Sequence, residues 1–270
     1  MSELPAERPS GSFDPRAGAA RLAAAWRKRT RLAELPPEER PADVAQAYAL
    51  QAALQQAMGD GSVGWKIAGG SVNGLKASPH GAPLFGFLRE PCVHPSGAVL
   101  AAPPASAVFT LEVEVALRFG RAAAPAEEPF DPAGMLDAAF LAVEVVCSRF
   151  VDRKAVGVPS FIGDDAGFHA FILGDPLPLG AASPLLGEPA TLWHHDEQVG
   201  PALAGDDRTD PLQSMALFWR HAAQQRWSVP AGAIVSTGTL IKPWDTAGPG
   251  TYEGRLGAAR VVFSIADIAV

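Results

Sequence analysis

The chain has 270 residues, of which 48% are hydrophobic and 19% are charged, and its formal net charge is −7. This size and composition are enough for a substantial globular core. The acidic balance argues against a nucleic-acid partner, which requires clustered Lys and Arg. No stretch has the apolar length of a membrane span, and the N-terminus lacks the basic start and apolar run of a secretory signal. We therefore expect a cytoplasmic protein with small-molecule or protein partners.

The two cysteines, Cys92 and Cys147, lie in apolar contexts and form no CxxC pair. Such cysteines are typical of reduced core residues rather than of disulfides or metal ligands. This interpretation fits a cytosolic chain.

The N-terminal region is predicted to be a flexible arm followed by helices. Residues 1–15 are rich in Pro, Ser, Gly and charge, which favours a loose arm. Helix-forming composition predicts one helix from Pro15 to Glu34 and a second over 41–58, with Gly59 as its C-cap. Residues 16–60 are therefore predicted to form a small helical subdomain.

After Gly61, short apolar runs punctuated by Gly and Pro predict a β-rich domain over 61–270, and hence an α+β fold. Two helices are predicted to interrupt it, each with an Asp N-cap and Pro at the first position, from Asp131 to about Ala138 and from Asp210 to about Gln225. The strands are predicted at Val63–Ala68, Ala98–Leu100, Leu111–Phe119, Phe140–Cys147, Ala166–Leu173, Thr191–His195, Ala233–Thr237 and Ala259–Ile265.

Two glutamates alternate with apolar residues in "LEVEV", at positions 112 and 114. On a strand, Glu112 and Glu114 leave the same face about 7 Å apart at the backbone. Two interpretations stay open for this pair: a solvated strand face, or two carboxylates that converge on a cation.

A third glutamate and a lysine lie in strongly apolar contexts. Glu144 is flanked by Val143 and Val145, and a buried carboxylate must be neutralised, paired or bound to metal. A salt bridge to Arg149 is the structural alternative. Lys66 lies between Trp65 and Ile67, so either its ammonium is buried or the side chain reaches back to the surface.

Taken together, these four residues suggest a divalent-cation site with an adjacent proton donor or acceptor. All three candidate ligands are oxygens, which favours Mg²⁺ or Mn²⁺ over zinc. The segment His194–Glu197 is interpreted as the polar tip of a hairpin, and the other histidines show no ligand spacing.

Six motifs occur in the order seen in the 2-keto-4-pentenoate hydratase and 4-oxalocrotonate decarboxylase family of the fumarylacetoacetate hydrolase superfamily, which the chain resembles from about residue 20 to 265. They are "GWKIAG" at 64–69, "PLFGFL" at 83–88, "LEVEVALRFG" at 111–120, "AVEVVCSRF" at 142–150, "GDDAGFHAFILG" at 163–174 and "VPAGAIVSTGT" at 229–239.

The resemblance implies a mixed β-roll core with N-terminal helices, and Mg²⁺ or Mn²⁺ held by Glu112, Glu114 and Glu144. It further implies a lyase for 2-oxo or 2-hydroxydienoic acids of aromatic catabolism, acting by hydration or decarboxylation. Members of the superfamily usually self-associate, so a homo-oligomer or a complex with a related subunit is expected.

The same resemblance assigns roles at the substrate to four residues. Lys66 is the candidate for proton transfer or charge stabilisation, and Asp164 is expected to orient Lys66 or a water. Thr239, with the neighbouring Gly238, is expected to contact the substrate carboxylate.

The chain also departs from the family pattern. Gly81 and Ala82 stand where the hydratases carry an acidic residue, and Gly167 stands where relatives have Ser. These departures keep open a non-catalytic or divergent relative that binds a metal-chelated 2-oxo acid or stabilises a partner enzyme. A separate alternative is a C–C hydrolase or oxaloacetate decarboxylase, which needs a base such as a His with an acidic partner, and the N-terminal region offers no His-Glu pair.

Overall fold

The computed structural model describes residues 13–104, 107–179, 188–246 and 248–267. Most of the predicted N-terminal arm lies outside these residues. The helices are α1 (Pro15–Arg27), α2 (Val44–Met58), α3 (Val72–Ala77), α4 (Pro132–Met135), α5 (Gly157–Gly163) and α6 (Pro211–Gln224). No helix in this part of the chain has the length and apolar character needed to cross a membrane.

The first two helices begin at Asp caps, and a left-handed residue ends α2 and follows the C-cap of α1. Asp14 accepts a hydrogen bond from the Arg16 amide, and Asp43 caps α2 in the same way. α2 ends at Gly59, with φ +76°, which confirms the predicted C-cap. α1 is shorter than predicted, because Arg29 takes φ +52° and the chain then turns so that Leu32 forms an isolated bridge with Phe150.

The strands include all eight that were predicted, with shifted ends, and five more. They are β1 (Ser62–Ala68), β2 (Leu84–Arg89), β3 (Val93–Pro95), β4 (Ala98–Ala101), β5 (Phe109–Phe119), β6 (Leu136–Val146), β7 (Phe168–Leu177), β8 (Ala190–His194), β9 (Glu197–Gly200), β10 (Ile234–Thr239), β11 (Trp244–Thr246), β12 (Gly250–Leu256) and β13 (Ala259–Ala266).

These strands form two sheets that enclose the main core. The larger has the order β2-β1-β10-β5-β6-β7-β3 with β11 added beside β5, and the smaller has the order β4-β13-β12-β8-β9. Val113 of β5 and Val143 of β6 point toward Gly254 of the smaller sheet. The opposite face of β5 and β6 is therefore left for the residues that alternate with these valines. The predicted α+β class with a mixed, curled sheet is confirmed.

The helix predicted up to Ala138 is wrong beyond Met135. α4 has only one turn, and its Asp131 makes no side-chain cap hydrogen bond. From Leu136 onward the chain joins β5 in the sheet, where Phe119 pairs with Leu136 and Leu117 with Ala139. Burial of this strand between two neighbours outweighs the helical propensity of an Asp-Ala-Ala sequence.

A buried glutamine joins α2 to the β-rich part of the chain. The Gln51 amide donates to the Phe85 carbonyl at 2.7 Å and to the Ile162 carbonyl at 3.0 Å. α1 and α2 also share a hydrophobic cluster with Phe150. The domain boundary near residue 60 stays a prediction.

Strands β1 and β10 lie in close contact at a glycine. Gly64 pairs in parallel with Ile234 and has φ +157°, and a β-carbon at this position would overlap the Ile234 backbone. We predict that Gly64→Ala lowers the free energy of unfolding by about 3 kcal/mol, because the strands must separate to accept the methyl group. Urea unfolding followed by circular dichroism measures the change.

Gly248→Ala is the matched control, since a β-carbon there meets no atom of the described residues within 4 Å. Equal unfolding midpoints for Gly64→Ala and Gly248→Ala would contradict the close approach of β1 and β10.

Candidate metal centre

The central pair of strands brings the three glutamates together. In the antiparallel pairing of β5 with β6, Glu112 lies directly opposite Glu144, and Glu114 is two residues further on the same face. Glu114 and Glu144 have no exposed surface, and Glu112 is partly exposed. The solvated-face interpretation of "LEVEV" is therefore wrong, because β5 is covered on both sides.

Lys66 of β1 lies against this cluster. Its ammonium forms an ion pair with Glu144 Oε1 and donates to the Ala166 carbonyl at 3.1 Å. Lys66 is 1% exposed, so the alternative of a side chain reaching back to the surface is wrong. Arg149 is not the partner of Glu144, because it binds Asp164 instead.

Strand β10 supplies two hydrogen bonds to Glu114. The Ser236 hydroxyl and the Gly238 amide both donate to Glu114 Oε2, the second at 2.9 Å. Gly238 has φ +101°, a conformation that other residues rarely adopt, and it presents its amide to the carboxylate. Thr239 lies next to Glu114 in the register, and its hydroxyl donates to the Ile241 carbonyl.

Three carboxylates lie beside a single ammonium, and the pKa values of Glu112 and Glu114 are raised. Burial, reinforced by the Glu144 carboxylate, raises the pKa of Glu112 to about 7. Burial and the Glu144 and Glu112 charges raise the pKa of Glu114 well above its ordinary value, although its hydrogen bonds act in the opposite direction. Burial opposes the charge on Lys66, but the neighbouring carboxylates, Glu144 first, outweigh it and raise the pKa of Lys66.

The geometry and donor set of this cluster fit a divalent cation. One carboxylate oxygen from each of Glu112, Glu114 and Glu144 lies within 4.8 Å of the other two. Glu114 Oε1 and Glu144 Oε2 are buried and have no hydrogen-bond partner among the described residues. Buried carboxylate oxygens that lack donors are costly, and a cation bound between them would remove that cost. The three glutamates can therefore hold a metal ion of the kind that prefers oxygen ligands.

Asp164 lies in a separate ion pair. Its carboxylate accepts from the Ser148 hydroxyl at 2.7 Å, from the Arg149 amide at 2.9 Å and from the Arg149 guanidinium. The structure therefore does not support the expectation that Asp164 orients Lys66, and the alternative that it orients a water stays a prediction. Burial raises the pKa of Asp164 against the lowering effect of Arg149.

The next three residues form a left-handed turn beside Lys66. Asp165, Ala166 and Gly167 have φ values of +54°, +47° and +73°. Consecutive residues other than glycine in this region are costly, and such backbone conformations cluster at functional sites. The turn aims the Ala166 carbonyl at the Lys66 ammonium, while Asp165 Oδ1 accepts from the Phe87 amide at 2.8 Å. Burial raises the pKa of Asp165 to about 6.

Gly167 is the position where the family pattern has Ser. A β-carbon there would lie 2.9 Å from both Phe161 and Val146, so a side chain would have to displace these neighbours. Sequence reasoning missed Asp165 and Ala166, although "DDAG" contains both, because only the backbone conformation identifies them.

A cavity of about 460 Å³ opens onto Lys66 and Glu112. Its wall includes two basic residues that sequence reasoning also missed, Arg153 and Lys154, together with the aromatic ring of Phe161. The sequence signal that could have identified them is the pair of adjacent basic residues shortly after the strand that carries Glu144. Arg153 is close enough to act on the Glu112 carboxylate, whose pKa it lowers.

Other sequence predictions concern residues outside this centre. Cys92 and Cys147 are free thiols, as predicted. His194 and Glu197 flank the turn of the β8–β9 hairpin, as predicted.

The sequence matches no family model and no curated protein, so the comparisons come from solved structures. 4-Oxalocrotonate decarboxylase from Pseudomonas putida G7, complexed with magnesium and adipate, superposes with a TM-score of 0.82 at 20% identity, covering 96% of this chain and 100% of that one. Fumarylpyruvate hydrolase from Pseudomonas aeruginosa, in complex with Mn²⁺ and pyruvate, gives 0.53 at 15% identity, covering 74% and 88%.

A Yersinia pestis CO92 protein ascribed to the fumarylacetoacetate hydrolase family gives a TM-score of 0.54 at 14% identity, covering 75% of this chain and 92% of that one. At these identities the likeness concerns the fold. The resemblance found in the ordered sequence motifs is thus confirmed at that level: the chain has the fold of 4-oxalocrotonate decarboxylase and of the fumarylacetoacetate hydrolase superfamily.

Proposed function

We propose that the chain is a divalent-metal-dependent lyase that acts on a 2-oxo or 2-hydroxydienoic acid. The observation that carries the proposal is the convergence of Glu112, Glu114 and Glu144 beside a buried lysine that, with Glu112, lines a cavity. Oxygen ligands favour Mg²⁺ or Mn²⁺. When bound, such an ion supplies Lewis-acid chemistry that stabilises negative charge developing on a 2-oxygen.

The chain's own residues would move the proton and exclude water. Lys66 is protonated, because its pKa is raised, and it lines the cavity next to Glu112. It is therefore placed to donate a proton to a substrate carbon or to stabilise an enolate charge. Phe161 and Val158 form an apolar part of the cavity wall, which would limit the access of water to the Lys66 ammonium.

Of the reactions proposed, decarboxylation of a diacid is better supported by the basic residues of the cavity. Arg153 and Lys154 supply positive charge in the same cavity, which Glu112 also lines. A second carboxylate on the substrate would meet these cations, and a guanidinium binds carboxylates with two parallel hydrogen bonds. The 4-oxalocrotonate decarboxylase of similar fold was solved with adipate, a diacid. Hydration of a monoacid such as a 2-hydroxypentadienoate is the alternative.

A C–C hydrolase is less well supported, because such an enzyme needs a base to activate water. No histidine lines the cavity in the part of the chain that the structure describes. A non-catalytic relative that binds a metal-chelated 2-oxo acid, or that stabilises a partner enzyme, would keep the glutamates but show no turnover. Association into a homo-oligomer or with a related subunit stays a prediction.

Metal binding is the first test. The wild-type chain is expected to remove Mn²⁺ from solution, seen as loss of the free-ion electron paramagnetic resonance signal. Saturating metal is expected to add about 2.7 kcal/mol to the free energy of unfolding at 100 times Kd. Changing both Glu112→Gln and Glu144→Gln is expected to abolish binding, because two of three charged ligands are lost.

Glu112→Gln alone leaves the Lys66–Glu144 pair in place and is expected to weaken binding by about tenfold or more. The control carries Glu127→Gln and Glu188→Gln, two exposed positions with the same change in charge. Undiminished Mn²⁺ binding in the Glu112→Gln, Glu144→Gln protein would refute the metal site.

Asp164 is predicted to stabilise the fold rather than to take part in the reaction. Because Asp164→Asn leaves the buried Arg149 without its counter-charge, we expect a loss of about 3–5 kcal/mol in the free energy of unfolding. Mn²⁺ binding per folded molecule is expected to persist. Asp267→Asn, at an exposed position, is the control.

An Asp164→Asn protein as stable as wild type but without activity would return Asp164 to a catalytic role. Urea unfolding and Mn²⁺ titration of the same preparation distinguish the two results.

Turnover tests the reaction class. A panel of 2-oxo diacids and 2-hydroxydienoates, followed by ultraviolet absorbance with Mg²⁺ or Mn²⁺, is expected to show conversion of at least one member. Lys66→Ala is expected to lower kcat by about 100-fold or more, since the proton donor is lost. Lys242→Ala, at an exposed position, is expected to behave as wild type.

The ratio of diacid to monoacid turnover separates decarboxylase from hydratase. Arg153→Leu is expected to lower kcat/KM for the diacid by about tenfold more than for the monoacid. Ligand binding without any change in absorbance across the panel would favour the non-catalytic alternative.

A further inference from the structure

A second cavity, which we call the arginine cleft, lies away from the metal centre. It has a volume of about 470 Å³ and is bounded by the end of α1 and the loop after it, by the end of β2 and by the segment after β6. It shares no lining residue with the cavity at Lys66. Its volume is within the range of small-molecule sites in proteins.

The cleft concentrates positive charge in an acidic protein. Five arginines line it, with one acidic residue, Asp60, while the whole chain has a net charge of −7. The arginines are Arg27, Arg29, Arg31, Arg89 and Arg149. A concave surface lined by one sign of charge concentrates ions of the opposite sign.

Most of these arginines are held in place through backbone carbonyls. Arg27 donates to Ala57 O at 2.6 Å, and Arg29 donates to the Ala102 carbonyl. Arg149 is held by Asp164 and by the Phe168 carbonyl at 2.7 Å. The positive charges are therefore positioned in advance, which lowers the entropic cost of binding an anion.

Arg89 provides the observation that points to a ligand. It is 6% exposed and lines the cleft, and one terminal nitrogen is paired with Asp60. Its Nε and Nη1 are buried and have no hydrogen-bond partner among the described residues. Buried guanidinium N–H groups without acceptors are costly, and an acceptor oxygen of a bound anion would reduce that cost.

An aromatic surface and a neutral histidine complete the site. The guanidinium carbons of Arg89 and Arg149 lie 4.6 Å and 4.5 Å from the centre of the Trp26 ring. Burial lowers the pKa of His169 to about 3, and Arg149 and Arg29 act in the same direction. His169, which lines the cleft, therefore adds no charge but can serve as a hydrogen-bond partner.

We propose that the arginine cleft binds a small anion that carries a carboxylate or phosphate group, with Arg89 as its principal hydrogen-bond donor. Arg29, which is half-buried and lines the cleft, contributes a second positive charge. This site is separate from the metal centre, and it does not depend on the proposed lyase activity.

Isothermal titration of the full chain, freed of divalent metal with EDTA, tests the proposal. Inorganic phosphate and succinate are titrated separately at matched ionic strength, so that the two sources of anionic oxygen are distinguished. Saturable binding of either anion is expected. Arg89→Met and Arg29→Met are each expected to weaken that binding by about tenfold or more, because a charge-assisted hydrogen-bond donor is lost.

Arg220→Met is the matched control, because it removes an exposed arginine outside both cavities and is expected to bind as wild type. The only two cysteines of the chain, Cys92 and Cys147, both line the cleft, so bound anion is also expected to slow their alkylation by iodoacetamide. This second readout locates the anion without relying on a variant that destabilises the fold.

Three results would overturn the proposal. One is the absence of saturable binding of both anions at millimolar concentration. Another is an equal loss of affinity in Arg220→Met and in Arg29→Met. The third is loss of binding in Arg153→Leu with unchanged binding in Arg29→Met, which would place the anion in the cavity of the metal centre.

Discussion

Three carboxylates share one buried face of β5 and β6, and a single ammonium lies among them. This excess of buried negative charge is the constraint on which the rest of the site depends. β10 contributes a hydroxyl and an amide to Glu114, and β1 contributes Lys66 to Glu144. Two carboxylate oxygens nevertheless lack a partner among the described residues. The protein groups therefore neutralise this negative charge only in part, and a bound cation would neutralise the rest.

The local pattern of the chain predicted much of this centre. Alternation in "LEVEV" placed Glu112 and Glu114 on one face, and the apolar surroundings of Glu144 and Lys66 indicated that their charges needed partners. Period-two alternation is a local property, so it can be read without the fold. That Glu112 lies directly opposite Glu144 could not be predicted from the local pattern, because it depends on the register in which β5 and β6 pair.

The errors share a physical cause. The partner of a buried charge is chosen by tertiary structure. Proximity in the sequence suggested Arg149 for Glu144, and the family resemblance suggested Asp164 for Lys66. In the fold, Arg149 and Asp164 form an ion pair with each other. The helix predicted to Ala138 failed for a related reason, because strand pairing outweighed local propensity. Arg153 and the left-handed turn at Ala166 were missed because side-chain direction and backbone conformation decide their roles.

The parallel pairing of β1 with β10 also has a consequence for how the protein folds. Lys66 of β1 pairs with Ser236 of β10, and Glu114 of β5 receives its two hydrogen bonds only when β10 is in place, so segments far apart in the sequence must meet before the site is complete. Contacts between segments so distant in sequence form slowly, because loop-closure entropy is lost before the contacts form. During synthesis, β5 and β6 emerge long before β10. Until β10 arrives, the Glu114 carboxylate of the nascent chain lacks both of these hydrogen-bond donors.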